Sequence, residues 1–373
     1  MAGIPHKFQS ARFRLKSGAF ENNGNTAISL DKPEVFCYNR KEQSKKGECT
    51  MNVAILGAGN IACKMAEAIN GLDDSVRAYA VASRDLDKAR EFRDKWGFEK
   101  AYGSYEQMLS DPEVDLVYVA TPHSFHLAHA RLCIDFGKPV LLEKPMTASA
   151  SQAQELFAYA EEKNVFITEA IWTRYMPSRK IIRQLLDSGV IGTPHMIMAD
   201  LSYPISHVPR MTTPALAGGS LLDIGIYCLN FASMVFGDDI ADIRGTCTYC
   251  DTGVDCQDSI TLTYRDGRIA VLTCSMMAAS HRMGIVYGSR GYLHCTNINN
   301  VEKIEVFDQD HALVQTVQVP PQINGYEYEL LACRRELARG GKACEEMPHE
   351  ETIRMLQWMD KLRADWGIRY PFE

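Results

Sequence analysis

Residues 51–69, MNVAILGAGNIACKMAEAI, contain the passage whose reading decides the fold. "NVAIL" at 52–56 is a short apolar run suited to a buried parallel strand, and it feeds directly into Gly57-Ala58-Gly59-Asn60-Ile61-Ala62. That is a G-x-G-x-x-A pattern. Gly57 permits the tight turn, Gly59 lets the backbone approach a pyrophosphate, and Ala62 is small enough for close helix-to-strand packing. The following helix would present its N-terminus, with Asn60 and Ile61 at the opening, to the phosphates. A helical segment, "IACKMAEAINGL", and a second apolar strand, "RAYAVAS", complete a strand–helix–strand unit, which is the context this fingerprint requires.

The end of the second strand distinguishes two cofactors. NAD enzymes commonly place Asp or Glu there to bond the ribose 2′-hydroxyl, whereas this chain has Ser83-Arg84. A hydroxyl and a guanidinium suit a 2′-phosphate, with Arg offering paired donors. NADP is therefore expected over NAD, which stays possible.

Strand and helix signals continue to alternate through "VDLVYVATP", "HSFHLAHARLCIDFG", "KPVLLEKP", "SQAQELFAYAEEKN" and "VFITEA". The pattern predicts an α/β fold whose first half, residues 51–170, is a doubly wound parallel sheet of the Rossmann type. Ligands bind such sheets at the carboxyl ends of the strands, so Thr121-Pro122, Glu143-Lys144 and Glu169 are expected on the ligand side. Beyond residue 194 the segments become strand-rich, predicting an α+β second half, 171–373, around a large and mostly antiparallel sheet. "YRDGRI" reads as a two-residue Asp-Gly hairpin turn. Helices are expected near 324–340 and 349–366, returning toward the first half.

Composition narrows the class of protein. A chain of 373 residues with 46% hydrophobic and 23% charged residues is ordinary for a globular protein of about two domains. The net charge of −7 and the lack of a basic, aromatic-interleaved stripe argue against nucleic acid as a partner. No uninterrupted apolar run of the roughly 18 residues that span a bilayer stands out, so a soluble cytoplasmic protein is expected. Twelve scattered cysteines, many in apolar runs, read as buried free thiols. Cys247, Cys250 and Cys256 form the one cluster, and the strand-like setting of the first two argues against zinc and for no metal site. Residues 1–50 carry nine Lys/Arg against five Asp/Glu and no sustained periodicity. They are expected to be a flexible extension, or to precede a true start at Met51.

At "LLEKPM" the sequence resembles the Gfo/Idh/MocA oxidoreductases, and the resemblance covers about residues 51–373. The shared motifs are the glycine fingerprint, Ser83-Arg84, Thr121-Pro122 with His126, Glu143-Lys144-Pro145, "SGVIGTP" at 188–194 and "GGSLLDIG" at 218–225. "EAIWTRYMP" and "LLDIGIY" look most like the branch of dimeric dihydrodiol dehydrogenases and NADP-dependent D-xylose 1-dehydrogenases. Where many members carry a histidine after "DxG", this chain has Tyr227, which sets it apart from a histidine mechanism. The resemblance implies Lys144 as the leading catalytic residue and His126 beside the cofactor; Trp172 and Arg174 are expected to line the nicotinamide end or the substrate mouth.

Apart from the resemblance, Asp223 and Tyr227 are four residues apart on a helical segment and share one face. Hydride transfer from an alcohol carbon requires removal of the hydroxyl proton. A phenol does this only if its ordinary pKa of ~10 is lowered, and a nearby ammonium, Lys144, favours that. Asp223 would orient Lys144 or bond a substrate hydroxyl. The expected activity is an NADP-dependent oxidation of a sugar, polyol or diol hydroxyl, with a homodimer formed through the second sheet. Two rivals share the fold: a redox-assisted glycosidase or lyase with tightly held NAD(P), and a non-catalytic NAD(P) sensor. Substrate selection falls to the loop at 202–219, where His207 and Arg210 read as exposed.

Overall fold

The computed structural model describes residues 50–373; the expectation for the first fifty residues falls, except for Thr50, outside them. Six strands form the first sheet: β1 (Met51–Leu56), β2 (Val76–Ala82), β3 (Lys100–Tyr102), β4 (Leu116–Val119), β5 (Val140–Glu143) and β6 (Ile167–Ala170). They lie in the order β3-β2-β1-β4-β5-β6 with every pair parallel. The order reverses between β1 and β4, and that switch point opens the crevice in which ligands of such sheets sit. β1, β4, β5 and β6 are almost wholly buried, because helices cover both faces, so their sequences read as continuous apolar runs rather than alternating ones.

The second sheet has eight strands: β7 (Pro194–Ser202), β8 (Ile240–Tyr249), β9 (Asp255–Tyr264), β10 (Ile269–Ser275), β11 (Gly284–Gly288), β12 (Gly291–Cys295), β13 (Lys303–Asp308) and β14 (Leu313–Gln318). Their order is β14-β13-β12-β11-β7-β10-β9-β8. All pairs are antiparallel except β7 with β10, at the centre. One face alternates Ile197, Ala199, Leu272, Val286 and Leu293 into the core. Against it lie a π-helical turn, Leu221–Gly225, and the helix Ile226–Phe236. The last helix, His349–Trp366, returns to the first half, where the His349 ring stacks on Phe157 at 3.9 Å and Asp360 accepts the Ala150 N–H at 2.8 Å.

Two expectations need correction. The β9–β10 hairpin has a three-residue loop, not two. Tyr264 and Arg268 close it, and Gly267 alone takes positive φ, at 89°; the geometry is a type I turn followed by a left-handed glycine. Cys250 and Cys256 are not free thiols but are joined in a disulfide. Residues 214–236 contain an 18-residue window apolar enough, at mean hydropathy 1.4, to cross a bilayer by length and composition, but 94% of that window is buried inside the protein. A helix covered by a sheet on one side and helices on the other is apolar all round for the same reason as a membrane span.

Candidate active site and family

The first half supplies a dinucleotide cradle. Gly57 has φ of 103°, and a Cβ there would come 3.0 Å from the Ala120 carbonyl oxygen, so the turn admits only glycine. Gly59, by contrast, faces open space. It precedes the helix Asn60–Gly71 with no side chain capping it, which leaves the N-terminal N–H groups, with the positive end of the helix dipole, for an anion. At the end of β2 the Ser83 hydroxyl accepts the Asp85 N–H. The Arg84 guanidinium lies over the Phe125 ring at 6.0 Å and, among the described residues, has no carboxylate partner. This arrangement fits a dinucleotide.

The other strand ends place the remaining groups. Thr121 follows β4 and its hydroxyl meets His129 Nδ1 at 2.9 Å; Pro122 leads into the single turn His123–Phe125. Glu143 is the last residue of β5, buried, and bonded by the Tyr118 hydroxyl and by the Lys144 N–H at 3.1 Å. Burial pushes the Glu143 carboxyl up to about 7 against the opposing pull of Tyr118 and Lys144. Glu169 lies beneath the site, accepting the Met146 N–H and the Thr352 hydroxyl.

Lys144 reaches across to the second half. Its Nζ donates to the Asp223 backbone oxygen at 2.7 Å and to Asp223 Oδ1 at 3.1 Å, while lying 4.9 Å from the centre of the Tyr227 ring. Arg210 grips the same carboxylate with two bonds, at 2.8 and 3.2 Å, and His123 Nε2 stands 3.5 Å away. Burial by itself would raise the Asp223 carboxyl. Lys144, the His123 bond and Arg210 outweigh it and hold the carboxyl well below its ordinary value.

Tyr227 differs from the expectation of a lowered phenol. Burial, then the charges of Glu143 and Asp223, hold its pKa well above the ordinary value. Lys144 sits over the ring face and spends its hydrogen bonds on Asp223, so its charge is not directed at the phenol oxygen. That oxygen instead accepts the Trp172 indole N–H at 3.0 Å, and Trp172 stacks on Tyr326 with centroids 4.6 Å apart.

Two residues expected at the cofactor make their bonds within the protein. His126 is fully buried, with its ring nitrogens 2.8 Å from the carbonyls of Thr121 and Pro145. Burial lowers it to about 3, so the ring is neutral and its single N–H donates to one of these two carbonyls beyond the ends of β4 and β5. Arg174 is 3% exposed and turns into the core, bonded to Asn230, Ser233 and Glu351. Conversely, His123, Arg210 and Tyr326 enter the site. Arg210 lies in the single-turn helix Pro209–Thr212 inside the 202–219 segment and Tyr326 caps the helix Glu327–Arg339, so their meeting with the site depends on tertiary contacts, and the one sequence signal for His123 was its place directly after Thr121-Pro122.

Residues 51–170 match the family described as "Oxidoreductase family, NAD-binding Rossmann fold", and residues 180–294 match the "GFO/IDH/MocA C-terminal domain". The chain belongs to the Gfo/Idh/MocA oxidoreductases. A trans-1,2-dihydrobenzene-1,2-diol dehydrogenase of Mus musculus is 33% identical over 329 residues, spanning 85% of this chain and 97% of that relative. The enzyme of the same name from Homo sapiens is 35% identical over 298 residues, 78% of this chain and 89% of its own. Among solved structures, a 3-ketoreductase from Actinomadura kijaniata in complex with NADP and TDP-benzene is similar with a TM-score of 0.78. It is 26% identical, covering 85% of this chain and 98% of its own. A levoglucosan dehydrogenase in complex with NADH, 16% identical and with a TM-score of 0.76, shares the fold.

Proposed function

We propose that this oxidoreductase is an NADP-dependent dehydrogenase of CH–OH groups on sugar-like or cyclic alcohols and diols, with Lys144 and Tyr227 as the catalytic pair and Asp223 orienting Lys144. The observation that carries this reading is the Lys144 ammonium, held by Asp223 at the ligand-side end of β5 and seated against the Tyr227 ring. Residues 51–170 would bind the cofactor and residues 171–373 the substrate. Gly57, Gly59, Asn60 and Ile61 would take the pyrophosphate, Ser83 and Arg84 the 2′-phosphate, and Thr121, Pro122, Glu143, Lys144 and Trp172 the nicotinamide end. NADP supplies the hydride donor or acceptor. Lys144 stabilises negative charge on the reacting oxygen, a preorganised electrostatic contribution of several kcal/mol. Tyr227, kept neutral by burial, donates its phenol proton to that oxygen in carbonyl reduction and is left as a phenolate; in alcohol oxidation this phenolate, formed by prior loss of the phenol proton to solvent, takes the substrate hydroxyl proton. The 33–36% identical dihydrodiol dehydrogenases and the NADP-bound 3-ketoreductase support the cofactor and the substrate class.

The test is nicotinamide absorbance at 340 nm with NADP⁺ and NAD⁺ across aldoses, inositols and aryl dihydrodiols, with Lys144→Ala and Tyr227→Phe in parallel. NADP⁺ reduction abolished by both substitutions supports the proposal. Cofactor binding with no turnover on any substrate overturns it in favour of a sensor, and elimination with retained cofactor overturns it in favour of a redox-assisted lyase.

The homodimer is proposed on the outer face of the second sheet. Met198 lies opposite both Val271 and Ile285 there, and Met198 is 45% exposed; an apolar row of this kind on a sheet is covered in most proteins. The cytoplasmic location is part of the same proposal and rests on the eight described cysteines that are free thiols, against the one Cys250–Cys256 disulfide.

A further inference from the structure

Asp223 lies in the π-helical turn Leu221–Gly225, in which the Leu221 carbonyl accepts the N–H of Ile226, five residues on. Such turns are wider and less stable than α-helical ones and are held where the surroundings require them. Two buried groups outside the site hold the entry to this one. Asp255 Oδ2 accepts the Leu221 N–H at 2.5 Å, and the Tyr370 hydroxyl donates to the Gly218 carbonyl at 2.8 Å. Gly219, between them, has φ of 129°, and a Cβ there would stand 2.4 Å from Asp255 Oδ1. The backbone is therefore seated directly on the carboxylate.

The placement of Asp255 is itself built. Thr248 lies opposite Gln257 but Tyr249 opposite Asp255, so Cys256 is an extra residue, a β-bulge in β9. In a regular strand residues 255 and 258 would face opposite sides of the sheet. The bulge turns both inward, and Asp255 and Asp258 are 0% and 4% exposed. Asp258 Oδ2 accepts the Cys274 thiol at 2.9 Å, and the Oδ1 atoms of both carboxyls lack any other donor. Burial raises each carboxyl, Asp258 well above its ordinary value. Two carboxyls this deeply buried are costly unless the bond to Leu221 is worth retaining.

We propose that Asp255 and Tyr370 are positioning residues for the catalytic centre: they hold Gly218–Leu221 so that the following turn presents the Asp223 carbonyl and carboxylate to Lys144. The inference rests on Lys144 as the catalytic group but is tested separately from it.

The experiment measures deuterium exchange in the peptide covering 218–225, together with kcat and the KM for NADP⁺, in full-length Asp255→Ala, Asp255→Asn and Tyr370→Phe. Asp255→Ala is expected to speed exchange in 218–225 and lower kcat about tenfold, the loss that displacing a positioned group produces, with the KM for NADP⁺ within about twofold. Asp255→Asn keeps an oxygen acceptor and restores both. Tyr370→Phe moves both in the same direction by a smaller factor. Unchanged exchange in folded Asp255→Ala overturns the proposal, as does equal loss in the Ala and Asn variants. If Asp255→Ala does not fold, Tyr370→Phe decides: unchanged exchange and kcat overturn the proposal. Should Lys144→Ala retain turnover, the catalytic reading fails, while exchange in 218–225 still reports on the brace.

Discussion

Lys144 and Asp223, 79 residues apart in the chain, share two hydrogen bonds, one to the backbone carbonyl of Asp223 and one to its carboxylate. The pair ties the end of β5 to the turn packed on the second sheet. Lys144 therefore carries a fixed position as well as a charge, and Asp223 is held by Arg210 at the same time.

Replacing Lys144 by alanine is expected to lower kcat by about a thousandfold, the scale seen when a preorganised charge at the reacting oxygen is removed. The Kd for NADP⁺, followed by quenching of protein fluorescence, is expected to stay within about threefold. A loss confined to Kd would make Lys144 a binding residue alone.

Arg84→Ala separates the two cofactors. With no carboxylate to hold it among the described residues, the guanidinium is free for a 2′-phosphate, and losing a charge-assisted bond of about 2 kcal/mol corresponds to roughly thirtyfold in kcat/KM for NADP⁺. The value for NAD⁺ is expected to be unaltered. Equal changes with both cofactors would place Arg84 outside the phosphate site.

Arg174 is expected to behave as a core residue. Truncation to alanine leaves Glu351, 13% exposed, without its buried partner, and breaking such a pair costs about 3 kcal/mol. Urea unfolding should show that loss, with the Kd for NADP⁺ unchanged. A weakened cofactor affinity at unaltered stability would return Arg174 to the site.

Glu143 makes stability depend on pH with a defined sign. Its carboxyl binds a proton up to about pH 7 in the folded protein but only up to its ordinary value of 4.5 when unfolded. Across that window the native state holds more protons, so this group's contribution is full below pH 4.5 and is lost as the pH rises toward 7. Glu143→Gln removes the dependence. The difference between wild type and variant in unfolding free energy, measured by urea at pH 4.5 and at pH 8, is expected to change by the order of 3 kcal/mol in favour of the variant at the higher pH. A constant difference would show Glu143 to be paired and ionised throughout.

Local sequence determined the first half of this protein almost completely. A Gly-x-Gly turn, an apolar run before it and a helix after it are properties of neighbouring residues, so Gly57, Gly59, Ser83 and Arg84 were legible without a fold. Lys144 was legible through its place after a buried strand and through the family motif it stands in, and Asp223 and Tyr227 through their helical spacing. The tertiary structure decided what those groups touch. Whether Arg174 faces a ligand or Glu351, whether His126 meets a cofactor or two carbonyls, and whether Arg210 is solvated or clamped on Asp223 depend on contacts between segments far apart in the chain, which no periodicity encodes. The contact of Asp255 with Leu221 is of the same kind, whereas the Cys250–Cys256 bond is local, joining residues six apart across the β8–β9 turn. Hydrophobic patterning sets which face of a strand is buried; one inserted residue reverses that face, and only the paired strand shows where the insertion lies.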